Sequence, residues 1–304
     1  MPEAASAPPG RGLPRRPEKP QMNVHSQALQ ISERDLQRAF SDGLFELDYQ
    51  PVVNLREARI SGCEALVRWP HPVRGHISPA EFVPLAEKSG LIEQMGEWVL
   101  QQACAEAAKW PEDVRVAANL SPAQFNSDTL VSSVGSALEK AGLAPHRLEL
   151  EITESMLLIC NEKTISTLHQ LRSLGIQIAM DDFGTGYSSL SYLRAFPFDK
   201  LKIDRSFVRD LSESSRSTAI VKAVIGLGSS LGVTTVAEGV ETAAQLQLLK
   251  EYGCDAVQGY LFSPPLPPSD MRQFLKTWRP NNFATYLSFL LPDDDLPYAE
   301  GLRC

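Results

Sequence analysis

Apolar positions along the chain keep two alternating rhythms. Short runs rich in Val, Ile, Leu and Ala, of the length of single β-strands, fall at 45–53, 60–69, 114–120, 148–153, from Ile176 onward, 201–204, 234–237 and 256–262. Longer stretches with apolar residues three and four apart lie between most of them and read as helices. The first starts at Ser32-Glu33-Arg34-Asp35, with Leu36, Phe40 and Leu44 on one face, and another starts at the cap-then-proline sequence Ser78-Pro79-Ala80-Glu81. Further helices are predicted over 91–110, 129–141, 164–174, 190–196, 217–231, 243–252 and 269–278. Eight strands alternating with helices over about 245 residues have the size and rhythm of a (β/α)8 barrel, with a doubly wound open sheet as the alternative. The first two strands are joined by the short link 54–59, which leaves no room for a parallel crossover. The expected fold is therefore α/β, a modified TIM (β/α)8 barrel with an antiparallel first strand.

One strand ends unusually. Ile176-Gln177-Ile178-Ala179-Met180 runs into Asp181-Asp182-Phe183-Gly184-Thr185-Gly186. Adjacent side chains on a strand point to opposite faces, so two acids in a row serve one centre only where the strand gives way to loop. Held close in a pocket of low dielectric, one of the two takes up a proton unless a cation lies between them. The plain alternative, two aspartates capping a glycine turn, is equally common for such a stretch in isolation.

The other strands change that balance. Their ends carry Glu64 and Arg68, Asn119, Glu151, Lys202 and Asp204, Glu238, and Gln258. In a barrel these ends share one rim, where active sites are built. The donors are carboxylates and one amide, with no convergent His or Cys, and hard oxygen ligands favour Mg²⁺ or Mn²⁺. Five carboxylates exceed what one such ion needs, and an aspartate bridging two ions uses the surplus. Two ions about 3.5–4 Å apart suit in-line attack of water on a phosphate ester. Lys202 then orients water or neutralises charge, and Arg68 holds a phosphate oxygen.

Bulk properties narrow the picture further. With 43% hydrophobic and 22% charged residues, the 304-residue chain has an ordinary globular composition, and its formal net charge of −8 argues against a nucleic-acid polymer as partner. Cys63, Cys104, Cys160, Cys254 and Cys304 form no C-x-x-C pair, and His25, His71, His76, His146 and His169 lack ligand spacing. Neither a signal peptide nor a membrane span is read, so the expected location is the cytoplasm. Residues 1–30, with Pro8-Pro9-Gly10-Arg11 and Pro14-Arg15-Arg16-Pro17, are expected to be a disordered tail. The folded domain is expected over 31–278 and a C-terminal extension over 279–304, its apolar run 282–291 preceding Asp293-Asp294-Asp295.

Tyr49-Gln50-Pro51, Glu64-Ala65-Leu66-Val67-Arg68-Trp69, Asn119-Leu120-Ser121, Glu151-Ile152-Thr153-Glu154, Asp181-Asp182-Phe183-Gly184-Thr185-Gly186, Lys202-Ile203-Asp204, Glu238-Gly239-Val240-Glu241 and Gln258-Gly259-Tyr260 closely resemble the EAL domain family over about residues 32–278. That family hydrolyses the bacterial second messenger cyclic di-GMP to linear pGpG. The resemblance implies one ion held by Glu64, Asn119, Glu151 and Asp181, and a second by Asp181, Asp182 and Glu238. It puts Lys202 on the nucleophilic water with Gln258 nearby, Arg68 on substrate phosphate, and Gln50 and Asp204 at the substrate pocket. The proton acceptor is left between Lys202 and Glu238. Glu154 matches the glutamate that pins the loop after Asp182, a loop also implicated in dimerisation, and Glu241 has a similar supporting role. A homodimer and a regulatory partner are expected accordingly. Pro264 departs from the pattern, which commonly has a basic residue there, so an effect on substrate affinity is expected. A catalytically silent cyclic di-GMP receptor or docking module is the alternative, and a generic phosphosugar enzyme is a third reading.

Overall fold

The computed structural model describes residues 31–156, 161–185, 196, 198–212 and 214–279. The expected tail 1–30, the predicted helix 190–196 apart from Phe196, and the apolar run 282–291 lie outside the described residues.

The chain opens with α1 (Glu33–Ser41), whose N-terminal N–H groups are closed by a reciprocal cap between Ser32 and Asp35. A long hairpin follows, β1 (Glu46–Asn54) and β2 (Arg59–His71), paired antiparallel from Glu46↔Arg68 to Asn54↔Arg59. A short strand, β3 (Gly75–Ile77), folds back on the end of β2. Next come α2 (Pro79–Ser89) and α3 (Leu91–Ala107), separated at Gly90, whose φ of 74° breaks the helical path. Strand and helix then alternate: β4 (Arg115–Asn119), α4 (Leu130–Ala141), β5 (Leu148–Thr153), α5 (Glu162–Ser173), β6 (Gln177–Phe183), β7 (Lys200–Ile203), the one-turn α6 (Arg205–Arg209), α7 (Ser215–Leu231), β8 (Thr234–Ala237), α8 (Ala243–Glu251), β9 (Ala256–Gln258) and α9 (Pro268–Thr277).

The strands run β1-β9-β8-β7-β6-β5-β4-β2-β3, and the additional β1–β2 pairing closes eight of them into a barrel. β1 is antiparallel to both neighbours, while β2, β4 and onward to β9 are parallel. Closure rules out the open doubly wound sheet. β3 and α6 are elements that periodicity missed, both being too short to carry a period.

Two boundaries differ from expectation and bear on the site. The last strand stops at Gln258 rather than continuing to Phe262, because the Val240 N–H donates to the Gln258 carbonyl and the Leu261 N–H to the Val240 carbonyl. Gly259 lies so close to the Val240 backbone that a Cβ there would overlap it. β6, in turn, does not give way to loop at the acid pair but runs on to Phe183 with a register break between Met180 and Phe183.

Alternation along the strands separates core from interior. Leu148, Leu150 and Ile152 of β5, Ile178 and Met180 of β6, and Leu201 and Ile203 of β7 belong to the main core cluster with residues of the surrounding helices. Each such side chain, at 0–1% exposure, stabilises the fold by about 1.5–3 kcal/mol. The alternate residues face the barrel interior, where Val52, Val236 and Ala256 form a small separate cluster. A second core of Leu36, Phe45, Trp69, Phe82 and Met95 fastens α1, α2 and the start of α3 over the end of β2.

Candidate active site

At the C-terminal ends of the parallel strands the interior-facing residues become charged. The Lys202 ammonium, buried on β7, is the hub. Its Nζ lies 2.7 Å from Glu151 Oε2, 2.6 Å from Glu238 Oε1, 3.1 Å from Asp181 Oδ1 and 3.4 Å from Glu64 Oε2. Asn119 Nδ2 donates to Glu64 Oε1 at 2.7 Å, and Gln258 Nε2 donates to Glu64 Oε2 at 2.8 Å and to Gln50 Oε1 at 2.9 Å. Gln50 Nε2 in turn donates to the Ser263 carbonyl at 3.2 Å. Side chains from β1, β2, β4, β5, β6, β7, β8 and β9 thus meet at one mouth.

The adjacent acids reach one centre through backbone geometry. Asp182 has φ 54°, in the left-handed region that costs a non-glycine residue about 1–2 kcal/mol. With the register break beside it, this turn of the chain undoes the strand alternation. Oxygens of Asp181, Asp182 and Glu238 lie within 4.8 Å of one another, and so do oxygens of Glu64, Glu151 and Asp181. Asp181 belongs to both groups. Behind the bulge, the Gly184 N–H donates to Glu154 Oε2 at 2.8 Å.

Crowding of like charge shows in the acidities. Burial pushes Glu238 up to about 8, helped by the charges of Asp181 and Glu64 against the opposing Lys202. Burial also raises Asp182 to about 6, with Asp181 and Asp204 adding to it. Glu151 is held well above the usual carboxylate range by burial and by Glu64. Burial works the same way on Glu64, but the Lys202 ammonium and the donors Gln258 and Asn119 outweigh it and hold this carboxyl low. Lys202 itself stays charged, since four carboxylates overcome its burial.

The donor set fits hard divalent cations. Each group offers only carboxylate oxygen, and the five acids Glu64, Glu151, Asp181, Asp182 and Glu238 have one interior ammonium, Lys202, among them. Gln258 Oε1 is also buried with no hydrogen-bond partner among the described residues, an acceptor facing a site that a bound group would satisfy.

Three residues singled out from the sequence lie outside this cluster. Arg68 Nε donates to Asp48 Oδ2 at 2.8 Å, so the structure ties it to β1 and not to the acids. Asp48 was not singled out; its signal is the two-residue spacing from Gln50 on one strand face. Asp204 caps α6 by accepting from the Ser206 N–H at 3.0 Å, within reach of Asp182. Glu241 has an exposed side chain, and its N–H donates to Gln245 Oε1.

Residues 33–265 match the family model described as EAL domain. The chain belongs to the EAL domain family. Among curated relatives, the cyclic di-GMP phosphodiesterase NbdA of Pseudomonas aeruginosa is 45% identical to this EAL chain over 258 residues, covering 84% of it and 33% of NbdA. A solved structure described as the phosphodiesterase PaMucR in complex with c-di-GMP aligns with a TM-score of 0.75 at 45% identity, over 78% of this chain and 98% of that one. Klebsiella pneumoniae BlrP1, solved as a manganese/cy-diGMP complex, aligns with a TM-score of 0.66 at 33% identity, over 74% of this chain and 56% of that one. The EAL chain spans about a third of the length of the curated relatives it matches, 31%, 29% and 33% for the first three. No helix among the described residues is long and apolar enough to cross a membrane.

Proposed function

We propose that this EAL domain hydrolyses cyclic di-GMP to linear pGpG by in-line attack of water on one phosphodiester. The observation that carries the reading is the pair of carboxylate groups sharing Asp181 around a buried lysine, at the mouth of a closed barrel. Glu64, Asn119, Glu151 and Asp181 would hold one Mg²⁺ or Mn²⁺ ion, and Asp181, Asp182 and Glu238 a second. Such ions supply Lewis acidity and lower the pKa of water. The manganese complex of BlrP1 supports that choice of cation.

The chain's own groups would then act as follows. Lys202 keeps its proton and holds the attacking oxygen while balancing the acids around it. Glu238, 2.6 Å from Lys202 Nζ, would take the proton of that oxygen through whichever carboxylate oxygen the cation leaves free. Gln258, fixed through its amide N–H groups by Gln50 and Glu64, presents its free carbonyl oxygen to water or substrate. Arg68, on exchanging Asp48 for a phosphate oxygen, would bind substrate, with Asp204 and Gln50 lining the pocket. The Glu154 bond to Gly184 would keep the Asp182 bulge from relaxing, and Glu241 would support the neighbouring loop. The reading is of a cytoplasmic homodimer under the control of a partner protein, and light scattering with and without substrate tests the dimer.

The test is chromatography of cyclic di-GMP incubated with purified protein and Mg²⁺ or Mn²⁺, with a chelator control. Metal-dependent pGpG is expected. Tight binding of intact cyclic di-GMP without turnover would refute hydrolysis and make the domain a receptor.

A further inference from the structure

Beneath the acid cluster the barrel interior carries a second, separate ion pair. Glu149 precedes Glu151 by two residues on β5, and Lys200 precedes Lys202 by two on β7, so both belong to the interior face one step lower, about 6.6 Å along the strands. Lys200 Nζ reaches across β6 to Glu149, 2.7 Å from Oε1 and 2.5 Å from Oε2, and the two side chains are 16% and 3% exposed. The strand between them contributes Ala179, partnered in the ladder with Lys200 on one side and with Glu151 on the other, and its methyl leaves the path open.

The Lys202 ammonium, at the end of a long, flexible side chain, stands among Glu64, Glu151, Asp181 and Glu238, and Glu149, two residues before Glu151 on β5, is near enough for its charge to help raise the Glu151 carboxyl. A buried carboxylate without a partner is costly, and a nearby ammonium is drawn to it. Lys200 removes that competition. We propose that Lys200 is a positioning residue: by saturating Glu149 it keeps the Lys202 ammonium committed to the upper carboxylates, where the reaction needs it.

This makes the two members of the pair unequal. Lys200→Met leaves Glu149 bare, so Lys202 is pulled down; Glu149→Gln removes the competitor and leaves Lys202 where it is. The experiment compares Lys200→Met, Glu149→Gln and the double variant in the full chain, by Mn²⁺ titration calorimetry without substrate and by steady-state turnover. The turnover arm rests on the phosphodiesterase reading, whereas the titration does not. Lys200→Met is expected to lower kcat by about tenfold or more with KM changed by no more than about twofold. The same variant should bind Mn²⁺ about tenfold more tightly, since the upper acids have lost their cation. Glu149→Gln and the double variant should keep wild-type Mn²⁺ affinity and at least about half the wild-type kcat.

A pair acting only as structural glue gives a different pattern. Weaker Mn²⁺ binding together with slower turnover in Lys200→Met overturns the proposal, as does a double variant no better than Lys200→Met. Should Lys200→Met fail to fold, the double variant decides alone: wild-type affinity supports the proposal and a loss overturns it. A wild-type chain that binds Mn²⁺ but turns over no cyclic di-GMP would sink the phosphodiesterase reading while the titrations still decide the role of Lys200.

Discussion

Replacing Lys202 with Met removes the only cation among the described residues that touches Glu64, Glu151, Asp181 and Glu238 in the interior. The side chains are similar in length, so packing changes little and electrostatics dominates. Taking one partner from a buried ion pair destabilises by about 3–5 kcal/mol. For a domain of this size each kcal/mol shifts Tm by about 2–4 °C, so the chelator-treated variant should melt about 6–20 °C below wild type. Divalent ions bound as proposed would compensate the same carboxylates. In saturating Mn²⁺ the gap in Tm should therefore shrink to a fraction of its chelator value. Turnover should not recover, because nothing then holds the attacking oxygen, and misplacing a reacting group costs about 10²-fold. Differential scanning calorimetry with EDTA and with Mn²⁺, alongside a pGpG assay, reads all three quantities. An equal gap in both conditions would show that the ions do not occupy this cluster, and near-normal turnover would remove Lys202 from the chemistry.

Glu64→Ala or Asp181→Ala should each reduce turnover by at least about 10³-fold with a folded barrel by circular dichroism, since each would strip a ligand from a proposed divalent cation; wild-type-like rates would refute the site. Glu154→Ala should slow turnover about tenfold by releasing the Gly184 N–H, with little change in the barrel's melting, and an unchanged rate would count against that role. Glu238 and Asp182 have folded acidities raised to about 8 and about 6, so without metal their contribution to stability is full below the unfolded carboxylate range and is lost as pH climbs through those values. Cations held by these two groups as proposed would reverse the sign by requiring both ionised, so the Mn²⁺-induced rise in Tm should grow from pH 5.5 to 8.5, and a flat response would contradict the assignment. Burial raises the thiols of Cys63, Cys104 and Cys254, the last two to about 12, so iodoacetamide at pH 8 should label these positions only after denaturation; mass spectrometry of the native protein checks it.

Much of the architecture was legible because periodicity is a one-dimensional signal. β5 and β8 fall on their predicted boundaries, and the 54–59 link foretold the antiparallel start because a chain of that length cannot make a parallel crossover. Which residue types collect at the strand ends is also written along the chain. What alternation could not supply was the route by which Asp181 and Asp182 face one centre. That needs a register break against β7 and a left-handed residue, both set by neighbours and by the Glu154–Gly184 bond, not by local preference. Arg68 shows the same limit from the other side. Its position beyond Glu64 is plain in the sequence, but its partner, Asp48, comes from the facing strand of the hairpin and is fixed only by pairing register.

The sequence by itself determined the alternation of strands and helices, the order of the strands' chemistry and the all-oxygen donor set, since these depend on residue type and spacing. Only tertiary structure decided that Lys202 stands among four carboxylates and that Lys200 answers Glu149 one tier below. Both facts follow from the stagger of β5, β6 and β7 around a closed barrel, and charge–charge energies depend on distances that no linear spacing contains.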